Sequence, residues 1–382
     1  FGSSANVVVS FGCPASRMVL AQSVQLTASA QVARAAKRGE SVAECRRLRA
    51  DGVDLTSPDD LGQTILFHVC SRRPGLPDTI DTVRYLVEEL GLSVDKPDTR
   101  LRQTPIFFAA AGGEASVLEY LLASGAAADW PDRNAQTAVF YAAKHGNLDC
   151  VDALLSARAD VVNVEDVNGE SPLFYAVKFE KVDCVQRLLA FASQAAVNVA
   201  DKKDKWGRTA LFYARDLASC SALLEHSCCP NVCDVDRQSA LFLAARSGLD
   251  GKIRLLIGQR ADVNVSDAHR QTPLYLACAA GLLETCRILV DEGEASLRWT
   301  DRMNQTPLMV AQAKGYVDIV QFLQSVATAT GRGRVRKAGA ASGVGTRATA
   351  TKRRRGDDAV VEAAPVAPSA APSGPAPGGA SG

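Results

Sequence analysis

One eight-residue phrase recurs along most of the chain, and it limits the fold more than any other feature. It begins as Gln63-Thr-Ile-Leu-Phe-His-Val-Cys70 and returns as Gln103-Thr-Pro-Ile-Phe-Phe-Ala-Ala110, Gln136-Thr-Ala-Val-Phe-Tyr-Ala-Ala143 and Glu170-Ser-Pro-Leu-Phe-Tyr-Ala-Val177. Four more follow at Arg208, Gln238, Gln271 and Gln305. The Thr or Ser anchors at 64, 104, 137, 171, 209, 239, 272 and 306 are spaced by 40, 33, 34, 38, 30, 33 and 34 residues. A period in the thirties means stacked supersecondary units, since one such unit cannot bury its own apolar face. At 382 residues the chain is too long for one ordinary core.

Each unit has a physical grammar. Thr or Ser is the residue type that caps a helix, its hydroxyl accepting from first-turn N–H groups. Pro, where present, takes the first helical position, where its missing donor costs nothing. Leu and the following Ala pair face inward, small enough for another helix to pack closely. Gly146, Gly248, Gly281 and Gly315 end that helix. A second apolar-periodic helix follows, as in Leu148-Asp-Cys-Val-Asp-Ala-Leu-Leu155, then a stop such as Arg260-Ala-Asp-Val-Asn264 and a polar turn such as Asp166-Val-Asn-Gly-Glu170.

Helix, turn, helix and polar hairpin at this period, opened by Thr-Pro-Leu, resembles the ankyrin repeat. The resemblance implies an all-α fold: an α-solenoid of stacked helix-turn-helix repeats with short β-hairpin loops. It covers residues 26–326 as about nine units. Val32–Gly39 with Ser41–Leu48 reads as an N-terminal cap, and Tyr316–Leu323 closes the array as a C-terminal cap. Residues 1–25 are an extension of unknown structure, with a short strand expected at Val7–Phe11. Residues 327–382 read as a disordered tail, basic and then rich in Ala, Pro and Gly.

The sequence departs from the family pattern. The fourth position counted from the Thr or Ser anchor, usually His, is Phe67, Phe107, Phe140, Phe174, Phe212, Phe242, Tyr275 and Met309. A stacked aromatic row between repeats is therefore expected. Arg72–Pro77 lengthens the first helix–helix turn. The unit opening at Thr209 lacks its helix-joining Gly segment, and Phe191–Ala196 adds residues just before it.

No catalytic constellation is legible. His226-Ser-Cys-Cys-Pro-Asn-Val-Cys233 offers three thiols and an imidazole, but not the paired Cys-x-x-Cys spacing of a zinc site. In repeat register Cys228 and Cys229 fill the Ala-Asp stop, so a structural role is expected, with a metal or redox role as the alternative. His68, His145 and His269 lack a nucleophile or acid at a recognisable spacing. No Gly-rich phosphate loop is present, and Gly112-Gly113 is a helix end. No enzyme activity, cofactor or metal is expected. Asn304-Gln-Thr306 matches a glycosylation acceptor, but Thr306 is needed as a cap.

The resemblance places partner contacts on hairpin tips and on the concave face. The matching tip residues are Arg133, Asn134, Asn168, Lys205, Trp206, Arg237, His269, Arg270, Arg302 and Met303. Trp206 is an aromatic in a polar tip, the profile of a binding hot spot; packing on the neighbouring tip is the alternative. The several Arg hint at an acidic partner segment.

Charge divides the chain. From Gly331 onward nine Lys/Arg face three acids, leaving 34 basic against 39 acidic residues in 1–330. Lys352, Arg353, Arg354 and Arg355 fit a nuclear-import signal; phosphate contact with nucleic acid or simple solubilisation are the alternatives. Eleven scattered cysteines, several in apolar helical register, suit a reducing compartment, nucleus or cytoplasm. No run of eighteen apolar residues suggests a membrane span. With Phe1 rather than Met at its start, the chain is expected to be a fragment or a processed form. The expected function is that of a monomeric scaffold or adaptor binding a protein partner. The alternatives are the targeting arm of a larger kinase, ubiquitin ligase or ADP-ribosyltransferase, and a nuclear factor associated with nucleic acid through its basic tail.

Overall fold

The computed structural model describes residues 42–71 and 78–339, with side chains up to residue 329. Residues 1–25 with the strand expected at Val7–Phe11, the first half of the N-terminal cap, the Arg72–Pro77 insertion and Lys352–Arg355 lie outside the described residues.

Helix α1 (Val42–Ala50) is the remaining half of the first unit. Every phrase then opens a first helix: α2 (Ile65–Cys70), α4 (Pro105–Gly112), α6 (Ala138–His145), α8 (Pro172–Lys178), α10 (Ala210–Tyr213), α12 (Ala240–Ser247), α14 (Pro273–Ala280) and α16 (Pro307–Lys314). A second helix follows each: α3 (Thr79–Arg84), α5 (Ala115–Ala123), α7 (Leu148–Ala157), α9 (Val182–Gln194), α11 (Leu217–Glu225), α13 (Asp250–Gly258), α15 (Leu283–Arg287) and α17 (Val317–Gly339). Among the described residues there is no strand, and the hairpins are turns with one isolated bridge, Cys233 to Ser239. The last helix runs past residue 326, where the sequence places the end of the array.

First helices stack on first helices, α4 on α6, α6 on α8, α12 on α14 and α14 on α16. The buried pairs Ala109-Ala110, Ala142-Ala143 and Ala244-Ala245 allow that approach. Gly146 and Gly281 end their helices at φ 83° and 77°, a left-handed backbone that a side chain would strain.

Two expectations need correction. The phrase hydroxyls cap only three of the eight helices: Ser239, Thr272 and Thr306 accept from the N–H groups of Phe242, Tyr275 and Met309 at 3.3 Å. In the other five, that N–H group reaches the backbone carbonyl of the anchor instead, as Phe107 does with Thr104 at 3.1 Å. The tighter first turn takes the donor away, and the hydroxyls of Thr64, Thr104, Thr137 and Ser171 are buried without a hydrogen bond. The aromatic row is also built differently. Fourth-position rings do not stack on one another. Three of them meet the fifth-position ring of the next unit edge-on, Phe67 with Phe108, Phe107 with Tyr141 and Phe140 with Tyr175 at 5.4–5.5 Å, and Phe174 meets Tyr213 tilted at 6.0 Å. The edge-to-face arrangement brings the positive ring edge to the negative ring face, which parallel stacking would not. Met309, in the last of the eight phrases, is exposed.

The unit at Thr209 is as short as its sequence suggests. Helix α10 is a single turn, and Ala214 leaves it in an extended conformation. One turn makes almost no internal hydrogen bonds, so its carbonyls need outside donors. Lys252 of α13 supplies them. Its side chain is buried, 2% exposed, and its Nζ donates to the carbonyls of Leu211 at 2.6 Å, Ala214 at 2.7 Å and Phe212 at 3.4 Å. Burial pushes its pKa down to about 8. Cys150 and Cys184 hold the same register in other units, and both thiols are buried.

Candidate partner-binding surface

The hairpin that joins one unit to the next is organised by a buried Asp. Asp132 Oδ1 accepts from the N–H groups of Asn134 at 2.8 Å and Gln136 at 2.9 Å. Asp166, Asp204, Asp234, Asp267 and Asp301 repeat the pattern. Two backbone donors closed by one carboxylate make the tip rigid.

The Asp also ties neighbouring units together. Tyr141 donates its hydroxyl to Asp132 Oδ2 at 2.9 Å and accepts from Gln103 Nε2 of the preceding unit at 2.6 Å. Tyr175 does the same with Asp166 and Gln136, and Tyr213 donates to Asp204. Burial first, and then the adjoining carboxylates of Asp132 and Asp166, push the Tyr141 and Tyr175 hydroxyls well above the usual tyrosine range. They stay protonated and remain donors.

The tips are joined edge to edge. Each tip sends one N–H to a carbonyl of the tip before it: Arg133 to Leu101 at 2.8 Å, Val167 to Asn134 at 3.0 Å, Lys205 to Asn168 at 2.8 Å and Val235 to Trp206 at 3.0 Å. Ala268 to Asp236 and Arg302 to His269 continue the row at 3.2 Å. All ten sequence-predicted partner residues therefore lie along one edge. Nine are exposed. Asn168 is half-buried, its Oδ1 accepting from Lys205. The Arg133 guanidinium is bound to the Thr99 carbonyl at 2.8 Å. Trp206 is 38% exposed, with Lys205 Nζ 4.5 Å from its ring centroid.

Sequence reasoning missed two apolar members of this edge. Val167 is 61% exposed and Val235 67% exposed, on the tips before and after that of Trp206. Both follow the hairpin Asp directly, a register position that faces solvent in every unit described in full from Asp132 onward. That register was the available signal. Arg237 and Arg270 hold φ 62°, where Gly169 and Gly207 serve in other tips. A side chain in that region costs about 1–2 kcal/mol.

The remaining candidates separate. Cys228 is buried with its thiol 3.4 Å from the Ala200 carbonyl, while Cys229 is exposed. Burial pushes the Cys228 thiol up to about 12. Among the described residues no group of three or more His, Cys, Asp or Glu is arranged to hold a metal ion. His68 contacts Asp59 at 3.3 Å, His145 is exposed, and His269 donates its backbone N–H to Asp267. His226 Nδ1 lies 2.9 Å from Ser193 Oγ, but that hydroxyl donates to the Leu189 carbonyl and is not poised as a nucleophile. Among the described residues no helix is long and apolar enough to cross a membrane.

Comparison with curated protein sequences gives no match. A family model described as ankyrin repeats (3 copies) matches residues 78–165, 106–201, 160–234, 195–267 and 241–330. These matches run without a gap through seven of the eight phrases. Together with the stacked first helices and Asp-closed tips, they establish that the chain belongs to the ankyrin-repeat family.

Proposed function

We propose that the chain is a protein-binding scaffold whose partner lies across the hairpin tips and the adjoining concave face, centred on Trp206. Ankyrin repeats are in general protein–protein interaction modules, and this reading adds a place. The observation that carries it is the run of exposed apolar side chains, Val167, Trp206 and Val235, on three successive tips whose spacing the tip-to-tip bonds fix. Interface energy concentrates on aromatic anchors whose near-neutral neighbours exclude water, the parts that Trp206 and the two valines would play. Arg237 and Arg270 support the same edge, because each is kept in a backbone conformation that glycine would adopt without strain. A scaffold stiffened in advance loses little freedom on binding.

The test is capture of partners from a cell lysate by the intact chain and by a variant carrying Trp206→Ala, Arg237→Ala and Arg270→Ala. The variant is expected to lose the captured proteins. An unchanged set would sink the assignment of this edge.

A further inference from the structure

The opposite end of the same units, where first helix turns into second, carries a second patch. Phe179 closes α8 and is 45% exposed. Lys144, in the last turn of α6 one unit earlier, places its Nζ 5.1 Å from the Phe179 ring centroid. Exposed His145 follows it. Lys181, just beyond Phe179, runs its aliphatic stem back across Gly146: a Cβ built there would lie 2.9 Å from Lys181 Cδ. One exposed ring thus has the Lys144 ammonium over it, with His145 next to Lys144 in the chain and the Lys181 stem packed on the Gly146 turn that ends their helix.

The fold does not account for these cations. Lysine in the last turn of a helix complements the helix dipole, which explains Lys144. Lys181 is the N-cap of α9, the end where a positive charge is disfavoured. Asn147 holds the same register one unit earlier and uses its amide to bind the carbonyls of Ala110 and Ala111 at 2.7 and 3.0 Å. Among the described residues the Lys181 ammonium makes no such bond, and no carboxylate pairs with Lys144 or Lys181. Glu180 and Asp183 are the acids nearest in sequence; both are exposed. His145 is pushed below the usual histidine range by burial, then by Lys144 and Lys181. Backbone strain falls in the same place. Glu180 holds φ 56° where the neighbouring unit has Gly146.

We propose that the turn ridge formed by Lys144, His145, Phe179 and Lys181 is a second docking surface, and that its occupant is an acidic peptide segment with one apolar side chain seated on Phe179. Charge complementarity selects the occupant. Carboxylates between Lys144 and Lys181 would relieve the mutual repulsion of the cations, and the ring supplies an apolar seat that a purely ionic contact would not use. Contacts of this kind are screened by salt.

The probe is a fluorescein-labelled synthetic peptide of Asp and Glu with one central Leu, titrated with the full chain by fluorescence anisotropy. Saturable binding that weakens as ionic strength rises is expected. The double variant Lys144→Gln/Lys181→Gln and the single variant Phe179→Ser should each weaken binding about tenfold, as loss of a paired charge cluster or an apolar anchor does. The tip variant Lys205→Gln/Arg237→Gln should bind as the unaltered chain does, which separates this surface from the one centred on Trp206. Absence of binding by the unaltered chain overturns the proposal, as does equal binding by the ridge variants. A single-stranded oligonucleotide that binds more tightly than the peptide and is lost in the same variants overturns the choice of a protein segment. A second readout needs no variant: NMR titration of His145 should show its pKa rising when the peptide is saturating, and a stationary value overturns the placement.

Discussion

Replacing Lys252 with methionine keeps the side-chain stem and removes the ammonium that serves three carbonyls of the one-turn helix α10. Two of those bonds, to Leu211 and Ala214, are 2.6 and 2.7 Å long, and the third, to Phe212, is 3.4 Å. A buried carbonyl left without a donor costs about 1–3 kcal/mol, so the two close ones alone put about 4 kcal/mol at stake and the third adds about 1. Against this stands the cost of burying the cation. A pKa pushed down to about 8 by burial corresponds to about 3 kcal/mol at neutral pH. The net destabilisation of Lys252→Met is therefore about 2 kcal/mol at pH 7. The sign of the pH dependence follows. Below pH 8 both folded and unfolded chains hold the proton, and the burial cost is felt in full. Between pH 8 and the ordinary lysine range the unfolded chain keeps a proton that the folded chain has released, so the wild type gains stability with rising pH. The neutral amine still has two hydrogens for the two close carbonyls. Urea denaturation of wild type and variant at pH 7 and pH 9 should show their gap widening by about 1 kcal/mol. Other titrations are common to both proteins and cancel. A variant as stable as wild type, or a gap that narrows at pH 9, would refute the reasoning.

Four further outcomes are expected. Thr104→Val should leave stability unchanged or raise it, because the Thr104 hydroxyl is buried without a partner; Thr272→Val removes a working cap and should cost about 1 kcal/mol by thermal or urea denaturation. Tyr175→Phe removes the hydroxyl shared by Asp166 and Gln136 and should cost about 1–2 kcal/mol in the same assay. Arg237→Gly relieves a left-handed backbone at φ 62°; it should stabilise the fold by up to about 1 kcal/mol while weakening partner capture, and destabilisation would count against strain at that tip. Burial pushes the thiols of Cys150, Cys184 and Cys228 up to about 12, 11 and 12. The unfolded chain releases those protons first, so stability should fall as pH rises above about 9, by about 1 kcal/mol per thiol at pH 10; replacing the three with Ala or Val should flatten the decline.

What could be read from the residues was what lies close together in the chain. The Thr-anchored phrase opens a helix and Gly closes it within one unit, so α4, α6 and α14 were legible, as was the defect at Thr209. The contacts that were missed cross from one unit to the next. Tyr141 reaches Asp132 within its own unit but Gln103 in the one before, and nothing local in Gln-Thr-Ala-Val-Phe-Tyr distinguishes a Tyr that joins units from one that faces water. Lys252 was hidden for the opposite reason: lysine is exposed by default, and its burial follows only from the missing turn of a helix 38–41 residues earlier. The helix caps failed on a finer point. The residue type is right for a hydroxyl cap, but whether hydroxyl or carbonyl takes the N–H is decided by the pitch of the first turn. At the tips the polar residues drew attention because the family uses them. Val167 and Val235 did not, although their register next to the hairpin Asp was visible.

The tip-to-tip bonds give the edge a direction. Each amide hydrogen points back toward the amino-terminal neighbour, and the bonds hold although the units behind them differ in length: the anchors at 171, 209 and 239 lie 38 and 30 residues apart, yet Lys205 still reaches Asn168 and Val235 still reaches Trp206. A partner that grips several tips at once therefore meets an even rack, whatever the helices behind it have gained or lost.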